Sequence, residues 1–181
     1  MQTNTKWVSD PEHSELSFKI KHLMISSVTG KFNQFEVRTE TPEIDFKDSQ
    51  INLTAQVASI STDNKKRDQH LLGSDFFDAT QFSTLEFQSS QLEKKGKHSF
   101  VLYGTLKMKG LSNKVKLLMK QSEIIKDPWG NERVAFTVDG EINRKNWGLD
   151  YNAALETGGF ILGDKVTVHG DIQLVKQPQE A

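Results

Sequence analysis

The amino-acid sequence predicts a mainly β chain: about eight antiparallel strands that close, or nearly close, into a barrel, with one or two short helices. Three observations carry that expectation. Apolar residues recur at every second position through most of the 181 residues, the period of a strand with one dry and one wet face. Gly104, Gly140 and Gly170 fall in the apolar phase of those strands, where a tightly curved sheet must bend or leave space. A single long stretch, Ser59 to Asp78, breaks the alternation and carries helix start and stop signals.

From Ser14 onward, Leu16, Phe18, Ile20, His22 and Met24 alternate with Glu15, Ser17, Lys19 and Lys21, which predicts a strand. Val28-Thr29-Gly30 reads as a bend. Phe32, Phe35 and Val37 follow, and the phase slip between the two phenylalanines predicts a bulge. Pro42 and the Asp45 to Ser49 stretch are loop-like. Ile51, Leu53, Ala55, Val57 and Ser59 form the apolar face of a third strand that runs into the helix. There Thr62 or Asp63 is expected as the N-cap, Gly73 as the residue beyond the C-terminus, and the main helix at about residues 64-72. Arg67, His70 and Leu71 share one face of it, with Asp68 and Leu72 beside them. Phe76 and Phe77, flanked by Asp75 and Asp78, are expected to anchor this helix to whatever the strands enclose.

Leu85, Phe87 and Ser89 open the next strand, which ends near the Lys94-Lys95-Gly96-Lys97 turn. Phe100, Leu102, Gly104, Leu106 and Met108 return as its hairpin partner. The Lys109 to Asn113 turn leads into Val115, Leu117 and Met119. Asp127-Pro128-Trp129-Gly130-Asn131 is a turn by composition, and Val134, Phe136, Val138, Gly140 and Ile142 make another inward row. Asn143 to Ala154 loses the alternation and has room for a second short helix around Trp147. Val166, Val168, Gly170, Ile172 and Leu174 form the last strand, and the Gln177 to Ala181 tail is polar.

The length fits one domain, 1–181, with a real core. Lys plus Arg number 23 against 24 Asp plus Glu, for a net charge of -1 with the signs interspersed, so nucleic acid is not expected as a partner. The absence of cysteine excludes disulfides, thiolate catalysis and Cys-ligated zinc. Met1 to Lys6 holds no apolar core of a signal peptide, and no apolar run approaches the roughly 18 residues of a membrane span. The expected compartment is the cytoplasm, or the periplasm if a leader has been removed, with no stable membrane insertion.

An eight-stranded barrel is either filled by side chains or holds one small ligand. Asp68 and His70 could form an acid/base pair, yet residues two apart on a helix do not face each other, and capping or loop-pinning roles fit them as well. No Gly-x-Ser-x-Gly elbow, phosphate loop or His-Glu-x-x-His motif supplies a nucleophile or a metal. His22, on the apolar phase of the first strand, is either a buried, backbone-bonded group or a contact to a ligand head at a barrel mouth. His13, His98 and His169 read as turn or surface residues, and no metal site is expected. Phe18, Phe35, Phe87, Phe100 and Phe136 make an aromatic row in which core and pocket wall are the same residues. Arg67 and Arg144 carry the donor forks that suit a carboxylate or phosphate, or bridge to the many acidic residues.

The motifs also show a resemblance. Trp7-x-x-Asp10-Pro11-x-His13-Ser14, Phe18-x-x-x-His22-Leu23 and Gly30-x-Phe32 resemble the opening of the YceI-like family. Ser59-Ile60-x-Thr62, Arg67-Asp68-x-His70-Leu71 and Asp75-Phe76-Phe77-Asp78 are similar to its central signature. Asn143-Arg144-x-x-Trp147-Gly148 and Gly163-Asp164-x-Val166 are similar to its closing motifs. Ser83 and Gly73 depart from the family pattern, in the loop from helix to strand. The resemblance implies a lipocalin-like barrel with a long apolar channel for a polyisoprenoid or other amphiphile, in a binding protein that is often a homodimer and not an enzyme.

The expectation is therefore a non-catalytic carrier of a long-chain lipid-like molecule: a polyisoprenoid, prenyl quinone or fatty-acid-like chain, with no other cofactor. Phe18, Ile20, Phe35, Phe87, Phe100, Leu102, Phe136 and Val168 are expected to line the channel. Phe76 and Trp147 are expected to border it, and His22, Arg67, His70 and Arg144 are candidates for the polar head. The alternatives are a small-substrate hydrolase or lyase using Asp68 and His70, and a filled-core interaction module.

Overall fold

The computed structural model describes residues 4–42, 46–156 and 160–179. Eight antiparallel strands follow one another around a closed barrel. β1 is Thr5–Ser9 and Glu15–His22, joined through a 3-10 turn at Pro11–His13. β2 is Ser26–Phe32 and Phe35–Thr41. β3 is Gln50–Gln56, continued through a 3-10 turn to Ile60–Ser61. The helix α1, Lys65–Leu72, precedes β4 (Thr84–Lys94), β5 (Ser99–Met108), β6 (Leu111–Gln121), β7 (Glu132–Asn143) and β8 (Leu162–Lys176). β8 closes the ring. It pairs with β7 from Arg133↔Val175 to Asn143↔Lys165 and, on its other edge, with both segments of β1, at Trp7↔Lys176 and Val168↔Phe18. These pairings on both edges of β8 join the last strand to the first.

Several local details differ from the expectation. The first strand begins at Thr5, not Ser14, because Asp10-Pro11 interrupts it for only one turn: Asp10 caps that turn by accepting from the Glu12 N–H, and the chain rejoins the same edge of β8. The turn expected at Val28-Thr29-Gly30 lies instead at Leu23 to Ile25, with Leu23 and Met24 at φ 54° and 61°. Val28 to Gly30 continue β2, and Gly30 is needed there for close approach, since a Cβ would stand 2.3 Å from Cζ of Phe18. The N-cap of α1 is Asn64, whose side chain accepts from the Arg67 N–H at 3.0 Å, and Gly73 at the C-cap is extended at φ -81°, so its left-handed freedom is not used. The second short helix is a 3-10 turn, Arg144–Trp147, ended by Gly148 at φ 72°. The hairpins of β4 to β6 form as expected, whereas in place of the bulge expected between Phe32 and Phe35 the chain bends at Asn33 and Gln34, dividing β2 into its two segments. Asp45, Glu180 and Ala181 lie outside the described residues.

Two apolar clusters divide the barrel. At the base, Phe46, fully buried on a left-handed backbone, lays its ring 5.4 Å from Trp7 and 5.1 Å from Phe136. At the opposite end, Phe18, Phe32 and Phe77 form a chain of rings at 5.8 and 6.2 Å. Phe76 and Phe77 turn inward because the chain after α1 folds back on it: the Phe77 N–H donates to Leu71 O at 3.0 Å, and the Ala79 N–H to Leu72 O at 2.9 Å.

β6 and β7 pair only where Leu118 to Gln121 meet Phe136 to Asp139. Toward the mouth they part, and the Arg144–Trp147 turn fills the opening. Trp147, 1 % exposed, donates its indole N–H to Leu106 O at 2.8 Å, and Asn113 Nδ2 donates to Asn146 O at 2.7 Å.

Candidate ligand-binding cavity

The inward faces of the strands do not meet at the barrel axis. They leave a cavity of about 450 Å³, within the roughly 300–1,000 Å³ typical of small-molecule sites. Its base is Thr39, Phe136, Ile172 and Leu174; its middle is walled by Leu53, Phe87, Leu102, Leu106, Val115 and Val138; toward the mouth follow Phe18, Ile20, Val168, Phe76, Phe77 and Leu162. Strand alternation makes this surface, because residues i, i+2 and i+4 of each strand project inward. Gly104 lets the Phe87 ring lie close against β5: a Cβ there would stand 2.4 Å from Cζ of Phe87 and 2.5 Å from Gln88 O. A filled-core module is not what these side chains build.

Of the residues expected at the site, Phe18, Ile20, His22, Arg67, His70, Phe76, Phe87, Leu102, Phe136, Arg144 and Val168 line this cavity. Phe35, Phe100 and Trp147 do not. Phe100, 2 % exposed, is packed into the base cluster, Phe35 lies between the two clusters, and Trp147 is the wedge between β6 and β7. Alternation shows that a side chain points inward, but not whether its layer is packed or hollow.

The mouth is where polar groups gather. Arg67 donates from Nε to Thr62 Oγ1 and from Nη2 to Thr62 O, both at 2.7 Å. Asp68 accepts from the Thr62 N–H at 2.8 Å and from its hydroxyl at 2.5 Å. Thr62, expected as a cap, is instead the buried hub that fixes α1 to the end of β3. His70 pairs through Nε2 with Asp75 Oδ2 at 2.9 Å, so the acid/base pairing of Asp68 with His70 is not formed. The His70 ring meets Phe76 at 5.1 Å and Tyr151 at 4.9 Å, and these two meet each other at 5.0 Å. This three-ring rim joins α1 to the segment after Trp147. Tyr151 is a functional candidate that the sequence did not reveal, since it lies in a stretch without periodicity.

Arg144 is 3 % exposed. Its Nε donates to Gly163 O at 2.8 Å and its Nη1 to Tyr151 O at 2.9 Å and to Leu149 O. It thereby holds the Trp147 turn, the rim and the start of β8 together. Burial pushes its pKa below the usual arginine value, and the carboxylates of Asp164 and Asp150 work against that shift. Nη2 is buried with no hydrogen-bond partner among the described residues. His22 lines the cavity half-buried, with no side-chain hydrogen bond among the described residues.

The other histidines lie against carboxylates: His13 against Asp10, His98 against Glu123, and His169 against Asp139 and Asp171, whose hydrogen bonds raise its pKa. At the base, the Thr39 hydroxyl is buried without a partner among the described residues, a polar atom on an otherwise apolar floor. Among the described residues, no three His, Asp or Glu side chains gather as a metal site, and no helix is long and apolar enough to cross a membrane.

The sequence matches the YceI-like domain over residues 7–174. The chain belongs to the YceI-like family. A UPF0312 protein of Staphylococcus aureus strain N315 is 37% identical over 163 residues, covering 90% of this chain and 92% of that protein. Among solved structures, BcnA of Burkholderia cenocepacia matches with a TM-score of 0.79 at 20% identity, over 91% of this chain and 98% of that one. A polyisoprenoid-binding domain from Saccharophagus degradans, implicated in plant cell wall breakdown, matches with a TM-score of 0.72 at 13% identity, over 94% and 98% of the two chains. Both structures share the YceI-like barrel fold with this chain. In this YceI-like barrel Arg67, Asp68 and His70 lie on the α1 rim, and Arg144 and Trp147 are the stitch and wedge that complete the mouth.

Proposed function

We propose that the protein is a non-catalytic carrier that holds one long-chain amphiphile in its barrel, a polyisoprenoid, a prenyl quinone or a fatty-acid-like chain. The observation that carries this reading is the cavity of about 450 Å³ inside the barrel, walled mainly by apolar side chains, with Arg67, His70, His22 and Arg144 also in its lining. Each square ångström of tail removed from water contributes about 25 cal/mol, so affinity comes chiefly from the tail. Selectivity comes from the head, which Arg67, His70, His22 and the unpartnered Nη2 of Arg144 are placed to meet. The binding ascribed to the Saccharophagus degradans domain supports the same ligand class.

Native mass spectrometry of the purified protein, followed by organic extraction, tests this. A single lipid-like species released on denaturation is the expected result. A barrel that emerges empty and takes up neither a prenyl quinone nor a fatty acid overturns it.

A further inference from the structure

The β1–β2 hairpin carries large apolar side chains where a turn ordinarily has none. Leu23, Met24 and Ile25 are 37%, 67% and 85% exposed, and Phe160 beside them is 55% exposed. Their proximity is set by the backbone: the Leu23 N–H donates to Ile161 O at 2.7 Å, and His22 pairs with Leu162. Ile20, His22, Val28, Ile161 and Leu162 line the cavity, so the exposed patch continues the interior surface out through the mouth. Exposed apolar residues scattered singly are ordinary, but a contiguous group is not.

The backbone adds a second observation. Leu23 and Met24 stand at φ 54° and 61°, the left-handed region that Gly or Asn occupies at least cost. A hairpin that only had to turn would be better served by those residues. A third observation is charge: Lys19 and Lys21 lie exposed on the outer face of the same strand, and neither has an ion pair among the described residues. Four apolar side chains on a narrow tip fall far short of the roughly 20–30 residues a side of a stable protein interface. They are, however, enough to enter the headgroup boundary of a bilayer, with lysines meeting anionic headgroups.

We propose that this hairpin tip docks the mouth of the barrel on an anionic lipid surface. Exchange of a ligand with that surface rests on the carrier reading above; docking itself does not, and it is read independently. The test is flotation of the purified protein with vesicles of phosphatidylcholine, with and without phosphatidylglycerol, beside the variant Met24→Gly/Ile25→Ser. Glycine suits the left-handed position and neither residue lines the cavity, so the thermal midpoint and the uptake of a fatty acid from solution are expected to stay unchanged. Wild-type protein is expected to float with the vesicles, more so with phosphatidylglycerol, and the variant to bind at least about tenfold more weakly. Lys19→Gln/Lys21→Gln is expected to remove only the preference for the anionic lipid. Wild-type protein that stays out of the lipid fraction, or a variant that floats equally well, overturns the proposal. So does a variant that changes only self-association by light scattering, which assigns the tip to a second copy of the chain. An empty barrel that still floats counts against the carrier reading alone.

Discussion

The imidazole of His70 stands edge-on to the phenol ring of Tyr151, with centroids 4.9 Å apart and planes at 81°. Phe76 closes the triangle. This contact links the two pieces of chain that are not barrel strands, the α1 insert and the segment after Trp147, across the opening of the cavity. Ligand passing this end must move between or past these rings.

Tyr151→Ala should therefore speed ligand exchange without emptying the barrel. Tyr151 is 40% exposed, so truncation removes rim contacts and little core. Aromatic pairs contribute about 0.5–1.5 kcal/mol each beyond area burial, and an off-rate of a fluorescent fatty acid roughly two- to tenfold higher is expected, measured by displacement with excess unlabelled chain. An unchanged off-rate would show that ligand leaves by another route.

Acid stability should depend on Arg133, which joins the base loops through Asp10 and Asp127, each at 2.7 Å. The guanidinium holds the Asp127 carboxyl down at about 2 and lowers that of Asp10 from 3.8. A carboxylate with a depressed folded pKa stabilises fully above its unfolded value and loses that contribution as pH falls through the folded one. The difference in thermal midpoint between wild type and Arg133→Met is thus expected to be constant above about pH 5 and to shrink from about pH 4 toward pH 2. A difference independent of pH over that window would show that Arg133 acts by packing alone.

The barrel was legible in the sequence because its strands alternate cleanly: Phe18 and Ile20, Ile51 to Ala55 and Val166 to Leu174 all point inward as their phase requires. Arg67 and His70 were legible as a pair because helical spacing sets them on one face. What the sequence did not reveal has physical causes. The Leu23 to Ile25 turn contains no Gly or Asn and continues the apolar phase through Met24, so nothing marks it locally. Phe46 lies in a polar loop and is buried only because Trp7 and Phe136 are there to receive it. Phe100 and Phe87 share the same phase type in paired strands, yet one packs the base and the other walls the cavity, a distinction set by height along the barrel axis.

Thr39→Val should stabilise the ligand-free protein. The Thr39 hydroxyl is buried with no partner among the described residues, and an unmet buried polar group costs about 1–3 kcal/mol, which valine of the same shape removes. A urea midpoint raised by the equivalent of about 1 kcal/mol is expected. A lower midpoint would reveal that the hydroxyl is hydrogen-bonded in solution, by water or by a ligand retained at the base.

Filling the cavity separates binding inside the barrel from binding to its surface. Val168 lines the cavity between Gly140 and Phe18, its partners on the adjacent strands, and Val138 lines it nearby. Phenylalanine at either position projects extra volume into empty space, so Val168→Phe or Val138→Phe should leave the thermal midpoint unchanged or higher, because new contacts replace a void. The same volume is denied to a ligand tail, and uptake of a prenyl quinone should fall about tenfold or more, since each buried methylene contributes about 0.8 kcal/mol. Overpacking at one site would appear as a lower midpoint, and the other variant then carries the measurement. If both variants fold as well as wild type and still take up the same amount of quinone, the chain binds its ligand elsewhere and the barrel interior is not the site.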